Sequence, residues 1–236
     1  MIFEGAISVK AAIIAKKRIV EKVIVDKNKR DRNISYIINQ ALASNIPVEY
    51  AERNAIDELC MSTNHGGIIA FVDKRESDLF DTIAKARLIC LLEGIEDPFN
   101  FGYCLRSLLA AGFEGVIVGE RNWLSSADVV TKSSAGASEY LAIYTSKDIA
   151  QDLLVLKKTH SILCADRKDA TSIYQINYDQ PLVLAIGGEK RGLSKAVLSL
   201  ADTNIYIPYA NEFRNALNAS SAVSVIAFEI MRQLQK

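Results

Sequence analysis

The chain has 236 residues, half of them apolar, and its 28 basic and 28 acidic side chains cancel to a formal charge of zero. That length and apolar content allow one large domain, or a small one beside a medium one, and exclude wholesale disorder. The charge balance excludes a uniformly basic nucleic-acid-binding surface while permitting a local patch, and no apolar run approaches the roughly 20 residues that span a bilayer.

Residues 1–32 carry such a patch, nine Lys and Arg against Glu4, Glu21, Asp26 and Asp31. It reads either as a solvated face or as a phosphate-contacting surface, with Lys10, Lys16, Lys17, Arg18 and Arg30 as candidates. Short β-branched runs predict strands at 23–25, 46–50 and 67–72. Asn33 to Ala43 places Ile34, Ile37, Ile38, Ala41 and Leu42 at helical spacing. A charge-rich break at 73–86 follows and is the best domain boundary, separating a small α/β unit (1–72) from a larger one (87–236).

In the larger part, strands are predicted at 88–92, 116–118, 140–144, 162–165, 182–186 and 205–207. Helical patterns lie at 101–111 and about 220–234, the latter with Asn218 or Ser220 as its cap. Strands alternating with helices predict an α/β fold with a largely parallel sheet. Cys60, Cys90, Cys104 and Cys164 are scattered, and only His65 and His160 are present. These spacings support neither a disulfide framework nor a zinc site and suit reduced, buried thiols. The amino terminus lacks a secretory pattern, so a cytoplasmic location is expected.

Three segments combine strand ends with polar or glycine-rich turns. After Leu88–Leu92 comes Asp97-Pro98-Phe99-Asn100-Phe101-Gly102, with Arg106 one turn beyond Gly102. Asn100 can cap the following helix, and Arg106 can reach a ligand at the helix start, although it reads equally as a surface arginine. The run Pro181–Ile186 ends in Gly187-Gly188-Glu189, with Gly192 before Leu193-Ser194. Its glycines allow a sharp turn or close approach of a ligand to main chain. Its spacing fits neither a dinucleotide fingerprint nor a Walker A loop. Finally Ile207-Pro208 leads through a polar loop to Ala216-Leu217-Asn218-Ala219-Ser220, which caps the last helix and offers open N–H groups.

Taken together and in order, Asn100-x-Gly102-x-x-x-Arg106, Gly187-Gly188-Glu189-x-x-Gly192-Leu193-Ser194 and Ile207-Pro208…Leu217-Asn218-x-Ser220 resemble the three motifs of the SpoU/TrmH branch of the SPOUT RNA methyltransferases. Lys132-Ser133-Ser134-Ala135-Gly136-Ala137 is similar to that family's small-residue stretch, and residues 1–72, with His65-Gly66-Gly67, resemble its ribosomal-protein-like RNA-binding domain. The resemblance implies an α/β catalytic domain with a deep trefoil knot and dimeric assembly. It implies transfer of methyl from S-adenosylmethionine to a ribose 2′-hydroxyl of rRNA or tRNA. Ala135, Gly136, Ile186, Gly187, Gly188, Gly192, Ile207, Pro208, Leu217 and Asn218 would hold the cofactor, and Asn100, Arg106, Glu189 and Asn218 would serve catalysis. A guanidinium stays charged at any ordinary pH, so Arg106 suits phosphate positioning and alkoxide stabilisation. No metal is expected. Ala216 stands where the family has serine, which leaves open a SPOUT-like RNA binder with weak catalysis.

Overall fold

The computed structural model describes residues 1–60, 64–120, 126–212 and 215–235. In chain order its elements begin β1 (Ile2–Glu4), α1 (Ala6–Ala15), β2 (Val20–Asp26), α2 (Arg32–Ala43), β3 (Val48–Ala51), α3 (Arg53–Leu59) and β4 (Ile68–Val72). Next come α4 (Phe80–Ile83), β5 (Leu88–Glu93), α5 (Pro98–Ala110), β6 (Gly115–Gly119), α6 (Ala127–Ser133), α7 (Ala137–Tyr140) and β7 (Ala142–Ser146). The chain closes with α8 (Ile149–Leu156), β8 (Ser161–Ala165), β9 (Ala170–Ser172), β10 (Leu182–Gly187), α9 (Lys195–Leu198), β11 (Thr203–Tyr206) and α10 (Ala219–Leu234).

These elements make two compact units, Met1–Glu76 with Leu124–Tyr140, and Ser77–Trp123 with Leu141–Lys236. The division differs from a single cut at 73–86 in two ways. Within the expected linker, α4 is part of the second unit's core, where Ile83 is fully buried. Residues expected to follow the linker into the larger domain, α6 and α7, instead pack in the first.

Unit 1 is a four-stranded sheet in the order β1-β4-β2-β3, with β4 antiparallel to β1 and β2, and β2 parallel to β3. Helix α2 buries the stripe Ile34, Ile37 and Ala41 and is capped by Asp31, whose carboxylate accepts the Ile34 N–H. Helix α1 has no polar stripe. It buries Ser8, Val9, Ala11, Ala12 and Ile13 because β4, α2, α6 and α7 all lie against it. Gly136 joins α6 to α7 at φ 84° and sits directly on α1. A Cβ there would come 2.6 Å from the Ala11 Cβ.

Arg18, expected on an RNA-facing surface, is structural instead. Its guanidinium is fastened to Glu139 of α7 by Nε to Oε2 at 2.8 Å and Nη2 to Oε1 at 2.9 Å, and also donates to the Asp73 carbonyl. It lies 4.6 Å over the Phe3 ring, and the Arg18 and Glu139 side chains are 2% and 0% exposed. Thr131 and Ser138 complete the shell around the carboxylate, and Arg75 donates to the Ser138 carbonyl. The pairing supplies a buried charge with the partners it requires.

Unit 2 is a seven-stranded parallel sheet in the order β7-β6-β5-β10-β8-β11-β9. Its central strands read as unbroken apolar runs because helices cover both faces. Leu88–Leu92 and Leu182–Ile186 are wholly buried side by side, Leu182 opposite Leu88 and Gly187 opposite Glu93. Helix α5 begins at Asp97, whose carboxylate accepts the N–H groups of Phe99 and Asn100, with Pro98 as first helical residue. Asp97 therefore caps this helix, and Asn100, the expected cap, lies inside its first turn. Helix α10 packs along α5, where the Ser107 and Ser224 hydroxyls meet at 2.7 Å. Among the described residues, no helix is long and apolar enough to cross a membrane.

Candidate active site

In an open parallel sheet, loops on either side of a reversal in strand order part at the carboxyl ends of the strands and leave a crevice. Here the reversal lies between β5, which leads to β6 and β7, and β10, which leads to β8 and β11. The loops after β5 and β10 wall a cleft of about 380 Å³ lined by Gly94 to Pro98, Asn100, Gly188, Glu189, Lys190 and Ala219. A second cleft, about 150 Å³, opens after β8 and β11 between Asp166, Arg167, Ile205, Ile207, Tyr209, Ala216, Leu217, Ala222 and Ile226.

Main-chain hydrogen bonds build the first cleft. The Gly188 N–H donates to the Glu93 carbonyl at 2.7 Å, and the Gly192 N–H to the Gly188 carbonyl at 2.9 Å. The Ser194 N–H donates to the Glu93 carboxylate at 2.8 Å, and the Lys190 ammonium to Glu96 at 2.6 Å. The glycines serve this crossing rather than leaving room for a ligand. A Cβ on Gly188 would lie 2.0 Å from the Gly94 carbonyl oxygen, and one on Gly187 would lie 2.2 Å from the Gly192 carbonyl carbon. Gly192 has open space around it and a φ of 62°, so it is needed for the turn itself.

The second cleft has apolar walls and a braced rim. Tyr209 accepts the Leu217 N–H on its phenol oxygen at 3.0 Å and carries the Arg167 guanidinium 4.9 Å above its ring. Asn218 caps α10, its side-chain oxygen accepting from the Ser221 N–H at 2.9 Å and the Ser220 hydroxyl at 3.3 Å. Phe213 and Arg214 of the same loop lie outside the described residues.

The expected site residues thus distribute unevenly. Asn100, Gly188 and Glu189 meet in the first cleft, and Ile207 and Leu217 in the second, with Asn218 at the helix start beside Ala219. Pro208 is exposed between Ile207 and Tyr209, while Ile186 is buried in β10 and lines neither cleft. Ala135 and Gly136 belong to unit 1 and line neither cleft, as the seat on α1 requires. Arg106 lines neither; it is exposed on α5, roughly 9 Å along the axis from Asn100, and makes no hydrogen bond or ion pair among the described residues. Sequence reasoning passed over Asp166, Arg167 and Tyr209. Their signal was position, since polar side chains directly after strands of a parallel sheet face its ligand edge.

Thiol chemistry is absent from these clefts at neutral pH. Burial pushes the Cys104 thiol up to about 12, against a small opposing backbone hydrogen bond and with help from Glu189. Burial, then Asp166 and Glu93, carry Cys164 to about 12 as well.

A parallel sheet with clefts at its switch point and last-helix cap, in one chain with a small mixed α/β unit, defines a two-part α/β protein with candidate ligand sites. Known proteins narrow this class. Residues 87–228 match the model of the SpoU rRNA methylase family, and residues 2–77 match that of the RNA 2′-O ribose methyltransferase substrate-binding domain. The chain therefore belongs to the SpoU family of S-adenosylmethionine-dependent RNA ribose methyltransferases. It is 31% identical to the 23S rRNA (guanosine-2′-O-)-methyltransferase RlmB of Shewanella oneidensis, over 92% of this chain and 90% of that one. A TrmH-family relative from Staphylococcus saprophyticus, whose name couples tRNA and rRNA, is 29% identical over 99% and 96%. The crystal structure of the SpoU methyltransferase AviRb from Streptomyces viridochromogenes with AdoMet has the same fold, with a TM-score of 0.81 at 22% identity over 100% and 90% of the two chains.

Proposed function

We propose that the protein methylates a ribose 2′-hydroxyl of ribosomal RNA, as a cytoplasmic homodimer whose active sites combine residues of both copies. Support for rRNA as the target comes from the similarity to RlmB along nearly the whole chain. Composite sites are supported by Arg106, a cation outside both clefts of its own subunit and without a partner among the described residues. Exposed Phe99 and Tyr103 on α5 and Phe228 on α10 give that pair of helices an apolar face for the second copy. On α10, Ala227 faces the core and Ala222 lines a cleft, so neither belongs to such a face, while Val225 is half-exposed. We further propose that the segment from the β10 turn to α10 is threaded as a knot.

The residues present suit S-adenosylmethionine. Ile205, Ile207, Leu217 and Ile226 offer apolar walls to a flat base in the second cleft, where the 216–218 turn adds main-chain polar groups, and the turn at 188–192 offers others at the first cleft. When bound, the cofactor supplies a methyl group on a sulfonium for capture by an oxygen nucleophile. The chain's own part is to hold that oxygen in place. Arg106 of one subunit grips the phosphate next to the target ribose and stabilises charge developing on its oxygen. Asn100 and the exposed carboxylate of Glu189 orient the nucleotide, and Asn218 holds the start of α10. Water or the phosphate takes the proton.

Ala216 lines the second cleft where the family serine is expected, and this favours a second reading, an RNA binder with little turnover. One experiment separates the two. The protein is incubated with tritiated S-adenosylmethionine and unmodified rRNA, and ribose methylation is mapped in cells with and without it. A single methylated nucleotide, lost with the protein, supports the enzyme; RNA binding without transfer supports the second reading.

A further inference from the structure

Four of the nine basic residues in 1–32 are paired with carboxylates of unit 1. Arg18 is buried against Glu139, Lys22 pairs with Glu49 at 3.0 Å, Lys27 pairs with Glu52, and Lys29 lies 3.6 Å from Asp31. Lys10 on α1 and Arg30 and Arg32 at the start of α2 form no ion pair with unit 1's carboxylates among the described residues. Lys10 stands over Tyr36, Arg30 and Arg32 line a groove with it, and Tyr36 and Tyr140 are both unusually open. Tyr36 of α2 is 44% exposed and Tyr140, the last residue of α7, is 42% exposed.

Their helices, α2 and α7, both lie against α1. The Lys10 ammonium stands 5.0 Å from the Tyr36 ring centroid, within the range of a cation–π contact. Burial, then the Tyr36 phenol, then Glu139 push the Tyr140 hydroxyl above its ordinary range. A shallow groove of about 520 Å³ runs past Tyr36 along Arg30, Asp31, Arg32, Ser35 and Asn39. Its one acid, Asp31, is occupied by the Ile34 N–H at 2.8 Å and by Lys29.

This mixture selects its ligand. The core of a protein interface is depleted of lysine, and here the Lys10 ammonium stands over the Tyr36 ring. Duplex RNA is held through phosphates and 2′-hydroxyls and presents no free base face to a tyrosine. Unpaired bases present both a π-face and flanking phosphates. We infer that Tyr36 and Tyr140 are a stacking platform for unpaired bases of the RNA substrate, with Lys10, Arg30 and Arg32 on the adjoining phosphates. The inference rests on the RNA methyltransferase reading and adds to it the secondary structure of the bound RNA. The stretch that follows Gly136, similar in sequence to a catalytic-domain motif, then contributes to substrate recognition through Tyr140.

The test uses full-length wild type with Tyr36→Ala, Tyr140→Ala and Tyr36→Phe. Fluorescence anisotropy measures binding of a labelled oligoadenylate and of a labelled RNA duplex, and calorimetry measures S-adenosylmethionine binding. Each alanine variant is expected to weaken oligoadenylate binding roughly tenfold, the scale of one base–aromatic stack. Tyr36→Phe keeps the ring and the affinity, and duplex and S-adenosylmethionine binding stay unchanged throughout. Alanine variants that bind oligoadenylate like wild type, or a wild type that prefers the duplex, overturn the platform while leaving the methyltransferase reading intact. A wild type that binds neither RNA and methylates none overturns both.

Discussion

Arg18 and Glu139 stand 121 residues apart in sequence, yet their side chains meet through two charge-assisted hydrogen bonds of 2.8 and 2.9 Å in a site closed to water. The pair fixes α7 to the strand-edge loop that opens unit 1, and it turns a residue counted among the basic patch into part of the core. Removing one partner leaves the other charge buried and unpaired. Glu139→Ala is expected to lower the unfolding free energy by about 3–5 kcal/mol, read from urea denaturation of the full chain. A variant as stable as wild type would show that water reaches the guanidinium.

The glycines of the β10 turn make separable predictions. Gly188→Ala forces a methyl group onto the Gly94 carbonyl, so the two loops must part. We expect a loss of about 1–3 kcal/mol in stability, together with weaker S-adenosylmethionine binding. Gly192→Asn meets open space, and asparagine accepts the left-handed backbone better than other side chains. Its melting temperature should stay near that of wild type. Equal damage from both changes would remove the distinction between crossing and turn.

Arg106→Ala should leave melting temperature and S-adenosylmethionine affinity unchanged, because the side chain is exposed and lines neither cleft. Turnover on RNA should fall by about two to three powers of ten, as when one transition-state donor is removed. If the site is composite, mixing Arg106→Ala subunits with subunits defective in the Gly188 turn restores one intact site per mixed dimer. A mixture no more active than the average of the two variants would place Arg106 in its own subunit's site.

Replacing Phe228 and Tyr103 with glutamate puts charge on the exposed face of α10 and α5. Sedimentation should report a dimer for wild type and a monomer for the double variant, with each chain still folded by circular dichroism. A wild-type monomer that is fully active would end the dimer proposal.

Acid should weaken unit 1 through Asp57. Its carboxylate accepts from His65 Nε2 at 2.6 Å and from Arg53 at 3.2 Å, and the His65 hydrogen bond is the leading cause holding its pKa below the ordinary 3.8. A carboxyl depressed on folding stabilises fully above its unfolded value, and that stabilisation is lost as pH falls through the folded value. Urea midpoints of wild type and Asp57→Asn should therefore differ at neutral pH and converge only below about pH 4. A gap that persists into acid would assign the effect to packing.

What the sequence discloses follows from how local the cause is. Helices α2, α5 and α10 lie within three residues of their predicted bounds because each has one apolar stripe and a polar face. Helix α1 has no stripe to detect, since apolar residues lie on its exposed face as well as its buried one, Ile7 and Ile14 among them. Strands β1 and β9 are three residues long and too short for periodicity. At α5 the Asp97-Pro98 pair held the capping signal, yet Asn100 offered a similar side chain three residues on. Asn100 and Glu189 drew notice as polar residues after strands, whereas Asp166, Arg167 and Tyr209, placed alike, did not. The reason for Gly188 did not, since the atom that excludes a side chain there belongs to Gly94. Charge counting likewise saw Arg18 without Glu139.

The return of residues 126–140 to unit 1 has a consequence for how such chains exchange parts. The amino-terminal domain cannot be swapped at one crossover near residue 76. A chimera made there would seat one parent's Gly136 and Glu139 on the other parent's α1 and Arg18. Only parents that keep a small residue at 11 and a cation at 18 would give a packed hybrid. Grafting a new substrate-binding domain onto this enzyme therefore calls for two inserted pieces from the same donor.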